Sequence, residues 1–291
     1  MTNWLALFAA ELNRPQPAPE RLALAIAGLA YPTLDLSAAL RQLDDLAAQM
    51  EEQLIHTRPG KERALLFLEL FNSELGFHGN REHYYAADNS FLNCVLERRI
   101  GLPIMLSLLC MVLGQRMGLD IAGIGFPGHF MARYRDAAGT WLLDPFNGQV
   151  LDAEQAINYL NNILGQPITL APDAYEAVSA VALAHRILLN LRNVYLGNRD
   201  HLLAARVVDY LLVLAPENPA LWQERGLLHY YTENWEPAAH DLRRYFFLTG
   251  CLMVALGHEP NGDVAAANLD PQTQQLIGLY RRIEETRRRI N

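Results

Sequence analysis

Residues 98–134 read RRIGLPIMLSLLCMVLGQRMGLDIAGIGFPGHFMARY, and WLLDPFNG follows at 141–148. The apolar run after Gly101 predicts a helix over about 103–117, since proline is tolerated in a first helical turn, where its missing N–H needs no partner. The segments IAGIGF, HFMARYR and TWLLDP are short, apolar and separated by glycine or charge, which predicts three strands. DAAG at 136–139 predicts a hairpin turn between the last two. Together these elements predict an α+β fold with a small antiparallel sheet.

His129 and Asp144 lie 15 residues apart around this hairpin. Antiparallel strands joined by a short turn can place the two side chains together, so the spacing predicts a hydrogen bond between them. A helix that opens near an imidazole–carboxylate pair is the arrangement of cysteine acyl-transfer enzymes, in which the helix N-terminus lowers the pKa of the thiol and the carboxylate orients the imidazole. A purely structural pair in a half-buried sheet fits the same spacing.

Helices are predicted before this segment. Leucine recurs at three- and four-residue intervals from Leu36 to Thr57, and RPQPAPE at 14–20 interrupts an earlier helix. That earlier helix carries its apolar face on Trp4, Leu5, Phe8 and Leu12.

A second helical region begins at about residue 175 and contains an internal repeat of 34 residues. Equivalent positions hold Leu188 and Trp222, Ala204 and Ala238, and Val208 and Leu242. This spacing is typical of tetratricopeptide repeats, with APENPALW at 215–222 as the junction between two units. Two units are fewer than a free solenoid needs, so we expect the region to pack on the rest of the chain or to be capped by its last helices.

Composition limits the classes of function. The 291 residues are 51% apolar and carry a formal net charge of −8, which suits folded cores and argues against a general nucleic-acid binder. Three cysteines without CxxC spacing favour a reducing cytoplasm over a disulfide framework or a cysteine metal site. No apolar run approaches the roughly 18 residues of a membrane span. The basic stretch RRIEETRRR at 281–289 is interpreted as a solvated helix end, with a contact to RNA or an acidic partner as the alternative.

Three segments carry a resemblance to a known family. NSFLNCVLERRIGLP at 89–103, GFPGHF at 125–130 and WLLDPFNG at 141–148 resemble the bacterial SirB family, in which a transglutaminase-like core is joined to tetratricopeptide repeats. The resemblance covers most of residues 30–250 and implies a papain-like α+β core, but it does not imply a settled activity. The division expected from it is a helical segment over 1–77, the transglutaminase-like core over 78–170 and the helical repeat region over 171–291.

The resemblance also implies which residue is missing. Active transglutaminase-like proteins begin a helix with a cysteine, about fifteen residues before the glycine that ends it, and carry the histidine and aspartate on successive strands. His129 and Asp144 match the last two, whereas the count back from Gly118 ends at Pro103. The nucleophile is therefore expected to be absent.

Three other residues are candidate substitutes for it. Cys110 lies seven residues into the predicted helix, about 10 Å from its start at ~1.5 Å per residue, which is too far for an imidazole placed at the first turn. Ser107 lies one turn in and has no activating neighbour in the sequence. Cys94 precedes the helix, in a segment that could fold back over its N-terminus, and is the best remaining candidate.

A metal site would be another use of His129. Its candidate partners are His78, His83, Asp88 and Asp144. No HxH or HExxH spacing supports such a site, so we predict neither a metal nor a cofactor.

Two functions fit these residues. The first is a non-catalytic binding or regulatory protein, whose core keeps the His129–Asp144 pair without a thiol and whose repeats bind a protein or peptide partner. The second is a hydrolase or acyl transferase that uses the same pair with Cys94, Ser107 or an activated water. We expect the first, in the cytoplasm, without a nucleic-acid or membrane partner.

Overall fold

Helices form the first part of the chain, as the spacing of its apolar residues predicts. The computed structural model describes residues 2–126, 128–167, 175–258 and 269–290. It contains α1 at Trp4–Leu12, α2 at Pro19–Ala27, α3 at Leu36–Leu54 and α4 at Lys61–Glu69. Trp4 and Phe8 of the predicted apolar face of α1 are buried, and Leu5 and Leu12 are half-buried. Pro19 occupies the first helical position of α2, where its fixed φ angle favours the start of a helix.

The predicted central helix is present and is the best-buried element of this part of the chain. A short parallel pair, β1 at His78–Gly79 and β2 at Ile100–Gly101, flanks α5 at Leu92–Arg98 and leads into α6 at Pro103–Arg116. Every residue of α6 from 103 to 114 is buried, as expected for a helix that is apolar on all sides. The sequence does not predict β1 or β2, because two residues are too few to show the period of a strand.

The three predicted strands form an antiparallel sheet that packs on α6. They are β3 at Asp120–Phe126, β4 at His129–Asp136 and β5 at Gly139–Asp144, and a short fourth strand, β6 at Gln149–Leu151, completes the order β3-β4-β5-β6. Asp136 pairs with Gly139, so the predicted hairpin turn is confirmed. α6 contacts β3 and β4 as well as α2 and α3, so it lies between the sheet and the first helices. The predicted α+β class is therefore confirmed.

One further helix, which the sequence pattern did not single out, lies on the sheet. α7 at Ala153–Leu164 begins with a capping box between Asp152 and Gln155. Its buried residues Ala156 and Leu160 belong to one apolar cluster with Ile124, Phe126, Met131 and Leu142 of the sheet. The capping box is a signal that could have located this helix.

The 34-residue repeat is visible in the helices of the C-terminal region. These are α8 at Ala180–Gly197, α9 at His201–Leu214, α10 at Pro219–Tyr231, α11 at Trp235–Leu248, α12 at Leu252–Ala255 and α13 at Pro271–Ile290. α9 and α11 begin 34 residues apart, and the residues Arg199 and Glu233 before them adopt the same left-handed backbone, with φ of 58° and 57°. The repeat predicted from side chains is therefore also a repeat of the backbone.

The last helix, α13, caps the repeats. This is one of the two arrangements expected from the sequence, the other being that the repeats pack on the rest of the chain. Tyr280 and Ile283 of α13 are buried in one cluster with Leu242 and Phe246 of α11. The basic stretch at 281–289 lies on α13, where Arg287 pairs with Glu236 and Glu284.

The chain forms two compact units, Met1–Asn190 and Leu191–Asn291. The expected boundary between residues 170 and 171 lies outside the described residues, so the three-part division of the chain stays a prediction. Within the ranges that the structure describes, no helix combines the length and the apolar character needed to cross a membrane.

Candidate functional site

The predicted hydrogen bond between His129 and Asp144 is present. Nε2 of His129 lies 3.1 Å from Oδ2 of Asp144. The register pairs Ala132 with Leu143, so the two residues are diagonal neighbours on β4 and at the end of β5. His129 is 7% exposed and Asp144 is fully buried. The hairpin therefore brings the pair together inside the first unit.

Both carboxylate oxygens of the buried Asp144 accept hydrogen bonds. Besides the contact with His129, Oδ1 accepts from the backbone N–H groups of Phe146 and Asn147, at 3.1 and 3.2 Å. The side-chain amide of Asn147 donates to Oδ2 at 2.8 Å. Burial alone would raise the pKa of Asp144, but the hydrogen bonds and the charge of its partners lower it below its ordinary value. Asp144 is therefore ionised at neutral pH.

This ionisation determines the tautomer of His129. An ionised carboxylate only accepts hydrogen bonds, so Nε2 must carry the proton in the neutral imidazole. The lone pair then lies on Nδ1, which is the basic nitrogen. The ring of Tyr159 on α7 contacts the imidazole edge-on, with the ring centroids 5.6 Å apart. Asp144 thus favours the tautomer of His129 in which Nδ1 can act as a base.

Asn147 and Tyr159 are parts of this site that sequence reasoning missed. The amide of Asn147 donates to Tyr159 Oη at 2.6 Å, and its carbonyl oxygen accepts from Arg81 at 2.6 Å. Asn147 follows Asp144 by three residues in DPFN, and an Asp and an Asn at this spacing are typical of a turn closed by side chains. Tyr159 lies on α7, which the sequence analysis did not locate. No residue pattern near GFPGHF indicated that this tyrosine would contact His129.

A small open cleft lies in front of His129 and includes the start of α6. Its volume is about 150 Å³. The lining residues include Tyr84, Pro103, His129, Phe130, Arg186 and Asn190. Pro103 is the first residue of α6, so the position expected for the nucleophile does face the same space as the imidazole. In place of a thiol it presents a pyrrolidine ring.

Arg186 enters the cleft from α8, 57 residues after His129. Its Nη2 donates to the backbone carbonyls of His129 and Phe126, at 3.2 and 3.4 Å. The guanidinium lies over the ring of Phe130, 5.3 Å from its centroid. Arg186 therefore fixes both ends of the turn in GFPGHF, in which Pro127 lies outside the described residues. Nothing in AHRILLNLR distinguishes this arginine from a surface residue of a helix.

The thiol and hydroxyl on α6 are core groups. Cys110 is fully buried, and burial raises the pKa of its thiol well above the ordinary value. Ser107 is also fully buried, and its hydroxyl donates to the carbonyl of Phe130 at 3.4 Å. Neither residue is among those that line the cleft. Cys110 thus packs as its apolar neighbours predict.

Cys94 lies on α5 in a different environment from His129. It is 6% exposed, and burial raises the pKa of its thiol although Tyr31 hydrogen-bonds to it. Tyr31 in turn donates to Asp88 at 2.8 Å, and Asp88 pairs with Arg98. The structure therefore brings His129 to Asp144 and Pro103, and it places Cys94 with a tyrosine instead.

Of the candidate metal partners, Asp144 contacts His129, but Asp88 and His78 have other partners. Asp88 is engaged by Tyr31 and Arg98, and His78 contacts the carbonyl of Gly76. Among the residues that the structure describes, no three His, Cys, Asp or Glu side chains are grouped closely enough to hold a metal ion.

Comparison with known proteins agrees with this architecture. Residues 37–189 match the transglutaminase-like superfamily, and residues 191–267 match the tetratricopeptide repeat. Among curated relatives, a UPF0162 protein of Vibrio cholerae is 30% identical over 79% of this chain and 84% of its own length. Protein SirB1 of Salmonella typhimurium is 28% identical over 87% of this chain and 90% of its own length. A UPF0162 protein of Xylella fastidiosa is 37% identical, over 60% of this chain and 64% of its own length.

A match to the first family covers more than half of the chain, and the repeats begin where it ends. The resemblance predicted from NSFLNCVLERRIGLP and GFPGHF is therefore confirmed. Pro103 and His129 line a cleft within the residues that match the transglutaminase-like superfamily. The chain belongs to the SirB1/UPF0162 family of transglutaminase-like proteins with tetratricopeptide repeats.

Proposed function

We propose that this chain is a non-catalytic binding and regulatory protein, in which the transglutaminase-like core retains the His129–Asp144 pair and the repeats contact a protein partner. The observation that carries the proposal is Pro103, which lines the cleft with His129 at the start of α6. A proline ring has neither a nucleophilic atom nor an N–H to give. Covalent acyl transfer at this position is therefore not available to the chain.

The nearby thiols support the same proposal. A cysteine reacts as its thiolate, so a reactive cysteine needs a lowered pKa and access to the substrate. Cys94 and Cys110 are both buried with raised thiol pKa values, which is the opposite combination. The third cysteine, Cys251, is also buried and free, and three unpaired thiols support a reducing, cytoplasmic location.

A second candidate is a hydrolase in which His129 activates water. The observation that favours it is the tautomer of His129, since the lone pair on Nδ1 could accept a proton from a water in the cleft. The two functions differ in a simple measurement. Hydrolysis of a small activated ester that disappears in His129→Gln would support the enzyme, whereas a rate equal to that of the variant supports the binding protein.

Introducing a thiol at position 103 tests whether this is the position from which the nucleophile is missing. In Pro103→Cys we expect alkylation by iodoacetamide at pH 6 to be about tenfold faster than at an ordinary exposed thiol, because the helix start and His129 both stabilise the thiolate. A fall of one unit in pKa raises the thiolate fraction about tenfold at this pH. The rate is measured by mass spectrometry of the labelled peptide.

A matched control separates the helix from the histidine. Ser37→Cys introduces an exposed thiol in the first turn of α3, which lies outside the cleft. We expect it to react slowly, and we expect Pro103→Cys to fall to the same rate when His129 is replaced by glutamine. Equal rates for Pro103→Cys and Ser37→Cys would contradict the assignment of the nucleophile position.

The repeats are proposed to hold the partner through exposed apolar residues. Tyr231 is 60% exposed and stacks on His201 at 5.0 Å, next to Leu202, which is 51% exposed. We expect Leu202→Ser with Tyr231→Ser to reduce capture of a cross-linked partner by the full chain about tenfold, the effect of losing one aromatic anchor. Ile55→Ser, at an exposed apolar residue of the first unit, is the control. Loss of capture in the control but not in the repeat variant would overturn this part of the proposal.

A further inference from the structure

Arg186 is a half-buried cation without an anionic partner in the described part of the chain. Its Nη2 is used by two backbone carbonyls, and its guanidinium covers the ring of Phe130. No described carboxylate forms an ion pair with it, whereas Arg116 and Arg135 of the same unit each pair with an acidic side chain. Charged side chains that are removed from water are normally paired, so an unpaired guanidinium in a cleft is suited to bind an anion.

The other groups of the cleft limit what that anion can be. Asn190 offers amide donors, Tyr84 is near enough to Arg186 to interact electrostatically, and His129 contributes an imidazole ring whose Nε2 contacts Asp144. A volume of about 150 Å³ is below the range of about 300–1,000 Å³ that is usual for drug-sized ligands. The cleft therefore suits a small group, or the end of a longer molecule.

We propose that this cleft binds a carboxylate group, which pairs with the charge of Arg186. This inference rests on the binding function proposed above and names the class of its ligand. Because Nη2 already donates to two carbonyls, the carboxylate is expected to accept a single charge-assisted hydrogen bond from another nitrogen of the guanidinium. One positive charge balances one carboxylate, whereas a phosphate dianion would leave an excess negative charge in a half-buried site. The carboxylate could belong to a small acid or to the C-terminus of a peptide.

The test is an NMR titration of the full chain with defined probes. N-acetylglycine supplies a small carboxylate, N-acetylglycyl-glycyl-glycine supplies a peptide C-terminus, and N-acetylglycinamide lacks the charge. Inorganic phosphate is the fourth probe. We expect the two carboxylates to shift the imidazole signals of His129 with saturation, and we expect the amide and phosphate to have no saturable effect. The tighter of the two carboxylates identifies the source.

Variants of Arg186 decide whether it is the anchor. Arg186→Gln should weaken carboxylate binding by about tenfold or more, as expected for the loss of a charge-assisted hydrogen bond. Arg186→Lys retains the charge but places it on a single nitrogen, which cannot contact the two carbonyls and reach the ligand together, so it should weaken binding too, and it decides the matter if the glutamine variant does not fold. Arg135→Gln, on an exposed arginine of β4 paired with Asp120, should bind as the unaltered chain does.

Unchanged binding in the folded Arg186 variants, or saturable binding of phosphate but not of carboxylate, would overturn the inference. Absence of any carboxylate binding would do the same. None of these results bears on whether the chain is an enzyme, because His129-dependent ester hydrolysis reports on that separately. The two proposals can therefore fail independently.

Discussion

Asp144→Ala is expected to lower the free energy of unfolding of the first unit by about 3–5 kcal/mol, because it leaves several buried hydrogen-bond donors without an acceptor at about 1–3 kcal/mol each. The substitution deletes a fully buried carboxylate that accepts four hydrogen bonds. It leaves Nε2 of His129, one of the two N–H groups of the Asn147 amide and two backbone N–H groups without their acceptor. Urea unfolding measures the loss, and hydrogen exchange in β4 and β5 locates it.

The control for this prediction is an exposed aspartate of the same sheet. Asp120→Ala removes the partner of Arg135 at the start of β3, where the carboxylate side chain is 44% exposed. We expect a change below about 1 kcal/mol, since solvent screens such pairs. If the two variants lose equal stability, the hydrogen-bond network around Asp144 is not what stabilises the hairpin.

The pH dependence of the same variant follows from the lowered pKa of Asp144. A carboxyl group with a pKa lower in the folded than in the unfolded state stabilises the fold above its unfolded value, near 3.8, and this contribution is lost as the pH falls through the folded value. The stability difference between the unaltered chain and Asp144→Ala should therefore be largest above about pH 4. It should shrink at lower pH.

Arg225→Met is expected to destabilise the repeat unit by a similar amount, about 3–5 kcal/mol. Arg225 on α10 binds Asp241 of α11 through two hydrogen bonds of 2.7 Å, and Asp209 of α9 through a third of 2.7 Å. Asp241 is 1% exposed and the Asp209 side chain is 35% exposed, so removal of the guanidinium leaves a buried carboxylate without its main partner and a second carboxylate close to it. Methionine retains much of the aliphatic stem, so the effect reports mainly the lost charge.

Arg244→Met is the matched control for the repeat unit. Arg244 lies on α11 and pairs with Glu217, whose side chain is 71% exposed. We expect a change below about 1 kcal/mol in urea unfolding, followed by the fluorescence of Trp222 and Trp235. Equal losses of stability in Arg225→Met and Arg244→Met would show that the ion pairs of Arg225 are not what stabilises the packing of α9, α10 and α11.

The sequence was sufficient to predict those helices, strands and turns whose apolar residues recur at a regular spacing over a short stretch of the chain. The run after Pro103 predicted α6 to within one residue at its C-terminal end, and the DAAG turn predicted the hairpin that joins His129 to Asp144. The 34-residue period predicted two helical pairs, and α9 and α11 begin at that spacing. These features could be predicted because each depends on residues close together in the chain.

Short elements could not be predicted in the same way. β1 and β2 contain two residues each, and their pairing joins His78 to Ile100 across 22 positions of sequence. A pattern of apolar and polar residues needs several positions before its period can be recognised. Their existence depends on the packing of the helices around them.

The sequence by itself determined that a histidine and an aspartate face each other on one hairpin, and that a proline stands where the nucleophile is expected. Only the tertiary structure decided what surrounds them. Arg186 reaches the cleft from a helix 57 residues away, and Tyr159 contacts the imidazole from α7. The physical reason is that a hairpin places its own residues through local hydrogen bonds, whereas these contacts arise only when separate helices bury their apolar faces on the sheet.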